Sequence, residues 1–279
     1  MKYNIPAPTQ SIPVTKIDKN FVTRIAYFGR SPYVEIIREA ELMRLRTEIP
    51  FPHYIFNVAP TANFSSPESA HAHICSVIED TRTRGTTLFW SVGPTTSPMD
   101  LGYYLEAHGF EQVMRCTGMT IDISLLREEA PVPSGFTVER VTNNSRLNQF
   151  VDVLAENSQM PRATAEAMHK IEASLGLDQN SPRQRYLGLW HGEPVATTTL
   201  FFGAGVAGIY HVATVPQARG YGIASAMSLS ALQDARWRGY RHATLIATPQ
   251  GQSVYRRLGF QPRAEYNVYM WTAGTFNHG

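Results

Sequence analysis

Val212-Ala213-Thr214-Val215-Pro216-Gln217-Ala218-Arg219-Gly220-Tyr221-Gly222-Ile223-Ala224-Ser225 reads as a strand that ends, a short glycine-bearing turn, and a helix that begins at once. The first turn of a helix carries backbone N–H groups with no intrahelical acceptor and a partial positive charge. Glycines at 220 and 222 let an anion approach that backbone without Cβ obstruction. The segment therefore reads as a phosphate cradle built from main chain, to which Arg219 adds a charge. A dinucleotide site is excluded: the third glycine of G-x-G-x-x-G falls at Ser225, and no acidic residue stands between Ala235 and Ala264. The Gly-Lys-Ser/Thr ending of a P-loop is missing too.

Around this segment the pattern is regular. Pro131, Pro133, Ser134 and Gly135, preceded by Arg127, Glu128 and Glu129, suit a linker over Glu128–Gly135. Phe136–Val141 alternates as a strand, Leu147, Phe150, Val151, Val153 and Leu154 fit a helix face, and a second helix is expected from Pro161 to about Leu175. Arg185–Trp190 and Val195–Phe202 form a hairpin, Ile209–Val215 is a strand, and Ile223–Trp237 is a helix closed by Gly239. Ala243–Thr248, Gln252–Leu258 and Glu265–Trp271 follow as strand, short helix and strand. The order strand, two helices, three strands, helix, strand, helix, strand predicts an α+β (mixed α/β) sheet domain.

The arrangement resembles the GNAT N-acetyltransferase superfamily. That family's signature of Arg or Gln, two residues, Gly, one residue, then Gly or Ala is carried here by Arg219, Gly222 and Ala224. Downstream, Val254-Tyr255-Arg256-Arg257-Leu258-Gly259-Phe260 is similar to the family's second signature, Tyr-x-x-Leu-Gly-Phe. The resemblance covers about Phe136–Trp271. It implies acetyl-CoA as co-substrate, no metal, and transfer of an acetyl group to a primary amine by direct attack. The strand at Val212, Ala213 and Thr214 would offer its backbone to the pantetheine arm, as an edge strand accepts another strand. Arg219, Gly220, Tyr221, Gly222, Ile223, Ala224 and Ser225 would hold the diphosphate, and a backbone N–H of the strand would polarise the thioester carbonyl. Tyr255 would protonate the leaving thiolate; a tyrosine phenol, ordinarily with a pKa of about 10, suits that task.

The general base stays open. The glutamate many family members carry falls here near Gly208. Tyr210 shares the Gly208 side of a regular strand and His211 points the other way, although His211 has the better pKa for a base. A water-relayed base from Glu156 or Glu166 is the remaining option. The missing carboxylate keeps two alternatives in play: a non-catalytic acyl-CoA sensor, and a transferase of a longer acyl chain.

The first half repeats the order in faded form. Tyr54–Val58 corresponds to Ile209–Thr214, the helix Ser66–Arg84 ends at Gly85 as its counterpart ends at Gly239, and Thr87–Val92 matches Ala243–Thr248. Leu105-Glu106-Ala107-His108-Gly109-Phe110 lies against Tyr255–Phe260, with Leu105 replacing the tyrosine. After Val58-Ala59-Pro60 comes Thr61-Ala62-Asn63-Phe64-Ser65-Ser66, with neither glycine nor arginine. Duplication is the simplest account. We expect two GNAT-like domains in tandem, each a mixed, mostly antiparallel sheet flanked by helices. Residues 1–130 would be a degenerate unit that covers or shapes the acceptor site, and residues 135–279 the catalytic one. Glu48-Ile49-Pro50-Phe51-Pro52-His53 reads as a proline-stiffened connector or a loop in the acceptor groove. His71, His73 and Cys75 do not converge on a metal, because on a helix 71 and 75 share a face and 73 points away.

Composition sets outer limits. The 279 residues, 43% hydrophobic and 17% charged, suit folded domains, and a formal net charge of +2 with interleaved signs gives no basic stripe for nucleic acid. No apolar run reaches membrane-span length, Met1–Ile12 lacks the apolar centre of a secretory signal, and two cysteines, Cys75 and Cys116, make no disulfide framework. The expectation is a cytoplasmic protein, monomeric or homodimeric, with a small-molecule amine or peptide as acceptor and neither nucleic acid nor membrane as partner. The acceptor itself is not legible.

Overall fold

The computed structural model describes residues 12–53, 55–126 and 131–273. Residue 54, where the first expected strand begins, residues 127–130 of the expected linker and nearly all of Met1–Ile12 lie outside the described residues. In chain order the elements are α1 (Thr15–Tyr27), β1 (Glu35–Arg38), β2 (Leu42–Arg46), β3 (Val58–Ala62), α2 (Pro67–Thr83), β4 (Thr87–Val92), α3 (Leu101–Ala107) and β5 (Glu111–Asp122). There follow β6 (Phe136–Arg140), α4 (Asn144–Asn157), α5 (Arg162–Ser174), β7 (Arg183–Trp190), β8 (Glu193–Gly203) and β9 (Val206–Thr214). The last are α6 (Ile223–Trp237), β10 (His242–Ala247), α7 (Gln252–Arg257) and β11 (Gln261–Thr272). The fold is mixed α/β, with a large, mostly antiparallel sheet.

All eleven strands join one sheet in the order β1-β2-β3-β4-β11-β5-β10-β9-β8-β7-β6. The final strands of the two halves are exchanged. β11, from the end of the chain, pairs with β4 through Asn267↔Val92 to Thr272↔Thr87. β5, from the first half, pairs with β10 through His242↔Asp122 to Ala247↔Thr117. β5 and β11 also run beside each other, so each half is completed by the other. The duplication is visible in the pairing. Each half holds one parallel pair bonded over only two positions, Val58↔Phe89 and Ala59↔Trp90 in one, Ala243↔Ala207 and Thr244↔Gly208 in the other.

The strand expected at Tyr54–Val58 instead occupies Val58–Ala62. The cause is Asn57, whose side chain accepts from the Thr47 N–H at 2.9 Å and donates to the Ile49 carbonyl at 3.0 Å. That holds residues 47–53 and 55–57 as a loop, from which Ile55 and Phe56 enter the core.

The pattern of the sequence announced neither α1 nor β1, β2 and β5. Helix α1 lies across β8 and β9 and binds the second half with both apolar and polar side chains. Ile17 and Ile25 are fully buried, each contributing about 1.5–3 kcal/mol by burial. Asn20 donates to the carbonyls of Gly203 at 2.9 Å and Val206 at 3.2 Å, and Tyr266 donates its hydroxyl to Asp18. A single hydrophobic cluster runs from Phe21 and Val58 in the first half to Leu147 and Leu232 in the second.

Candidate active site

Beyond Gly208 and Thr244 the strands β9 and β10 part, and residues 209–214 have no strand partner on that side. The parting opens a groove of about 850 Å³. One wall is β9 and the head of α6; the other is Leu245–Thr248, Gln250, Gly251 and α7. The strand expected to take an extra strand is thus an interior one, made accessible by splaying.

At the head of α6, Gly222 has φ 79° and no side chain caps the helix. A left-handed residue there costs a non-glycine roughly 1–2 kcal/mol, so the sequence keeps glycine and leaves the first N–H groups to the groove. Gly220, at φ 87°, has nothing within 4 Å of where its Cβ would stand. Such a surface fits a diphosphate. Ile223, Ala224 and Ser225 line the groove, as do Val212, Ala213, Thr214, Arg219, Gly220 and Gly222. Tyr221 does not: its ring lies 4.8 Å from that of Trp190 and is largely exposed. The Arg219 guanidinium is turned back, donating to the Thr214 carbonyl at 3.0 Å and to Asn157 at 3.1 Å. It braces the turn.

Tyr255 stands on α7 across the groove, its ring edge-on to Phe260 at 5.8 Å. Gln252 anchors that short helix by donating to Thr117 of β5 at 2.7 Å, so the first half helps to place the tyrosine. Arg257 also lines this wall, a cation at a variable position of the Tyr-x-x-Leu-Gly-Phe signature.

Two candidate bases sit on β9, and the structure occupies both. A bulge opposite Thr198 puts His211 at φ 50° and turns its ring into the interior. Arg24 donates to His211 Nε2 at 2.7 Å, while Nδ1 lies 3.3 Å from Thr199 Oγ1. Burial first, then the charges of Arg24 and Arg183, push the imidazole well below its ordinary range. Tyr210 donates its hydroxyl to Asn20 at 2.6 Å, and the Arg24 guanidinium sits 4.3 Å over its ring. Both side chains line the groove, but both are tied to α1. Behind them Glu172 is buried between Arg183 and Arg185, at 2.7 and 2.8 Å for the two longer contacts.

The missing carboxylate has a cause in packing. A Cβ on Gly208 would stand 2.0 Å from Asn20 Oδ1, so α1 fills the place a glutamate would need. The relayed bases are not there either. Glu156 is exposed and accepts from Gln217 at 3.2 Å; Glu166 is exposed and paired with Arg162 at 2.9 Å. Neither lines the groove. In their stead the first half contributes His53 and Ile55, facing Met160 and Met168 of the second. The stretch Glu48–His53 thus ends in the groove. His53 is lowered to about 4 by burial and by the charge of Arg24.

In the first half the equivalent cleft is closed. Ser97 donates to the Ala62 carbonyl at 3.2 Å and Phe64 to the Ser97 carbonyl at 2.9 Å, stitching a loop across the parting of β3 and β4. Helix α2 is capped by its own Ser66, which accepts from Ser69 N–H at 3.2 Å. Leu105 is fully buried. A separate cavity of about 750 Å³ lies between β1–β2 and α5; Glu48 and Ile49 line it, and it shares no residue with the groove.

Comparison with known proteins agrees with this geometry. Residues 204–263 match the family described as "Acetyltransferase (GNAT) domain". No curated protein matches the chain. Among solved structures, a GCN5-related N-acetyltransferase from Kribbella flavida is similar over 95% of this chain and 98% of its own, at 19% identity and a TM-score of 0.70. A GCN5-related N-acetyltransferase from Sphaerobacter thermophilus covers 84% of this chain and 81% of its own at 17% identity, TM-score 0.57. A tandem GNAT protein from the clavulanic acid biosynthesis pathway covers 88% and 86%, at 14% identity and TM-score 0.58. At these identities the likeness is one of fold. The chain has the tandem GNAT fold, and residues 204–263 within its second half match the GNAT acetyltransferase domain.

Proposed function

We propose that this acyltransferase fold moves an acetyl group from acetyl-CoA to a primary amine on a small molecule or peptide, by direct attack. Residues 135–279 would form the catalytic unit and residues 1–130 a degenerate partner that shapes the acceptor end. One observation carries this: the uncapped head of α6 and Tyr255 open on the same groove, joined by the stretch of β9 that has parted from β10 while keeping its pairing to β8. Acetyl-CoA, when bound, supplies the thioester. The N–H groups at Gly220–Ser225 grip its diphosphate, and the β9 backbone at 212–214 takes the pantetheine arm and polarises the carbonyl. Tyr255 gives its proton to the departing sulfur and recovers one from the nitrogen that attacked.

His211 is a poor base in this scheme, because its Nε2 lone pair already accepts from Arg24. The amine must then reach the carbonyl unprotonated, and its surplus proton leaves through Tyr255 and water. Incubating the protein with acetyl-CoA and a broad amine panel while following free thiol tests the proposal. Thiol release with one class of amine is expected; no release, together with no calorimetric heat on titrating CoA, overturns it.

Among the described residues no carboxylate lines the groove, which favours one competitor, a non-catalytic acyl-CoA sensor. CoA binding without turnover, unchanged in Tyr255→Phe, would support the sensor instead. No described helix is long and apolar enough to cross a membrane.

A further inference from the structure

On the outer side of the first half, three side chains with soft or borderline donor atoms converge: His71 and Cys75 of α2, and His108 at the end of α3. His71 and Cys75 share a helix face by their i,i+4 spacing, and His71 Nε2 lies 3.7 Å from Cys75 Sγ. His108 Nε2 lies 2.8 Å from His71 Nδ1, and the three ligand atoms fall within 4.8 Å of one another. His73 takes no part. Its Nδ1 lies 2.9 Å from the Ser69 carbonyl oxygen, and its Nε2 lies 3.5 Å from Glu39. The helix geometry that excludes His73 is correct; the third ligand comes from another element.

We propose that His71, Cys75 and His108 form a zinc site. Three features support it. Tetrahedral zinc, with nitrogen at about 2.0–2.1 Å and sulfur at about 2.3 Å, holds its ligand atoms about 3.3–3.7 Å apart, and the three ligand atoms here, one from each residue, lie within 4.8 Å of one another. The 2.8 Å approach of the two rings relaxes by a small rotation as one nitrogen of His71 turns to the ion. His108 is also oriented as metal-bound histidines are: its Nδ1 donates to the Tyr104 carbonyl at 2.6 Å, which fixes the tautomer and leaves the Nε2 lone pair facing His71. A thiolate with two imidazoles selects zinc over magnesium or calcium, which prefer oxygen. Binding displaces the Cys75 thiol proton to solvent. Three protein ligands leave one position for water, and His71 and Cys75 are exposed, so the ion enters without opening the fold.

The site is separate from the acyl-transfer groove, to which neither α2 nor α3 contributes a lining residue. Its physical effect would be to clamp α2 to the end of α3. The Cys116 thiol is no competitor: it is buried with Ile17 and Tyr266, and burial pushes it up to about 11.

The test uses the reduced, chelator-treated full-length protein, titrated with cobalt(II) and then zinc. One equivalent of cobalt should give a thiolate charge-transfer band in the near ultraviolet and intense red absorption of a tetrahedral ion, both erased by zinc. Cys75→Ser should lose the charge-transfer band, and His71→Ala and His108→Ala should each weaken zinc binding at least tenfold. Far-ultraviolet circular dichroism should be unchanged in all three. An unaltered charge-transfer band in Cys75→Ser, a pale octahedral cobalt spectrum, or no saturable binding would overturn the assignment.

Discussion

Arg24 and His211 stand 187 residues apart in the chain, yet a guanidinium N–H of the first donates to Nε2 of the second at 2.7 Å. A guanidinium only donates, so His211 accepts at Nε2, while its Nδ1 lies 3.3 Å from Thr199 Oγ1 and 3.4 Å from Arg183. The contact joins the two halves and, after burial, acts on the charge of one of the two imidazoles that line the groove. It keeps that ring neutral.

Stability should fall in acid from about pH 6.5 downward. His211 and His53 are both depressed in the folded state, His53 to about 4. Below the unfolded value the unfolded chain takes up protons that the folded chain refuses, so stability is complete above pH 6.5 and lost as pH drops. Each ring contributes about 1.4 kcal/mol per pH unit over its window. Urea unfolding between pH 7 and pH 4 checks this. In His53→Gln the slope should be shallower by about one ring's share.

Glu172→Gln should lower stability by about 3–5 kcal/mol, since it leaves the buried Arg183 and Arg185 facing an amide. Burial raises that carboxyl, but the two guanidiniums outweigh it and hold it low. Its share of stability is therefore present above about pH 4.5 and lost at lower pH. Thermal unfolding at pH 7 gives the size, and the variant should show a flatter profile below pH 4.5.

Gly222→Ala should weaken CoA binding about tenfold and raise the acetyl-CoA KM without a matching loss in kcat. The new Cβ would sit at φ 79°, 3.1 Å from the Pro131 carbonyl oxygen, and would distort the helix head. Titration calorimetry with CoA measures it directly. Equal affinity in the variant would remove the cradle from the binding scheme.

Tyr255→Phe should cut kcat about 100-fold while CoA affinity stays within a factor of two, as expected for a group acting on the departing sulfur. Without a protein base, kcat/KM should climb tenfold per pH unit up to the pKa of the acceptor amine. A plateau near pH 7 with an amine of higher pKa would reveal a base that this geometry lacks.

The second half was legible because its information is local. Gly222, Arg219 and Tyr255 lie at fixed offsets from strand and helix ends, and those ends are marked by Pro216, Gly239 and Gly259. Helix α1 escaped notice because its inner face carries Asp18, Asn20 and Arg24, which are buried against β8 and β9 instead of facing water. Gly208 shows the same limit: the sequence reveals a lost carboxylate, while the reason, Asn20 Oδ1 in its place, comes from far along the chain. His53 carried a faint signal in its proline-rich loop. The exchange of β5 and β11 carried none, since alternation along a strand defines its faces and says nothing of its neighbour.

Because β11 is the partner of β4, the edge of β4 stays open during synthesis until the last strand has left the ribosome. Everything ahead of it can collapse early, but closure of the sheet waits for residues 261–272. A nascent chain halted before residue 261 would expose a bare strand edge to its neighbours, which makes the closing segment the point where this protein is most open to pairing with another copy of itself.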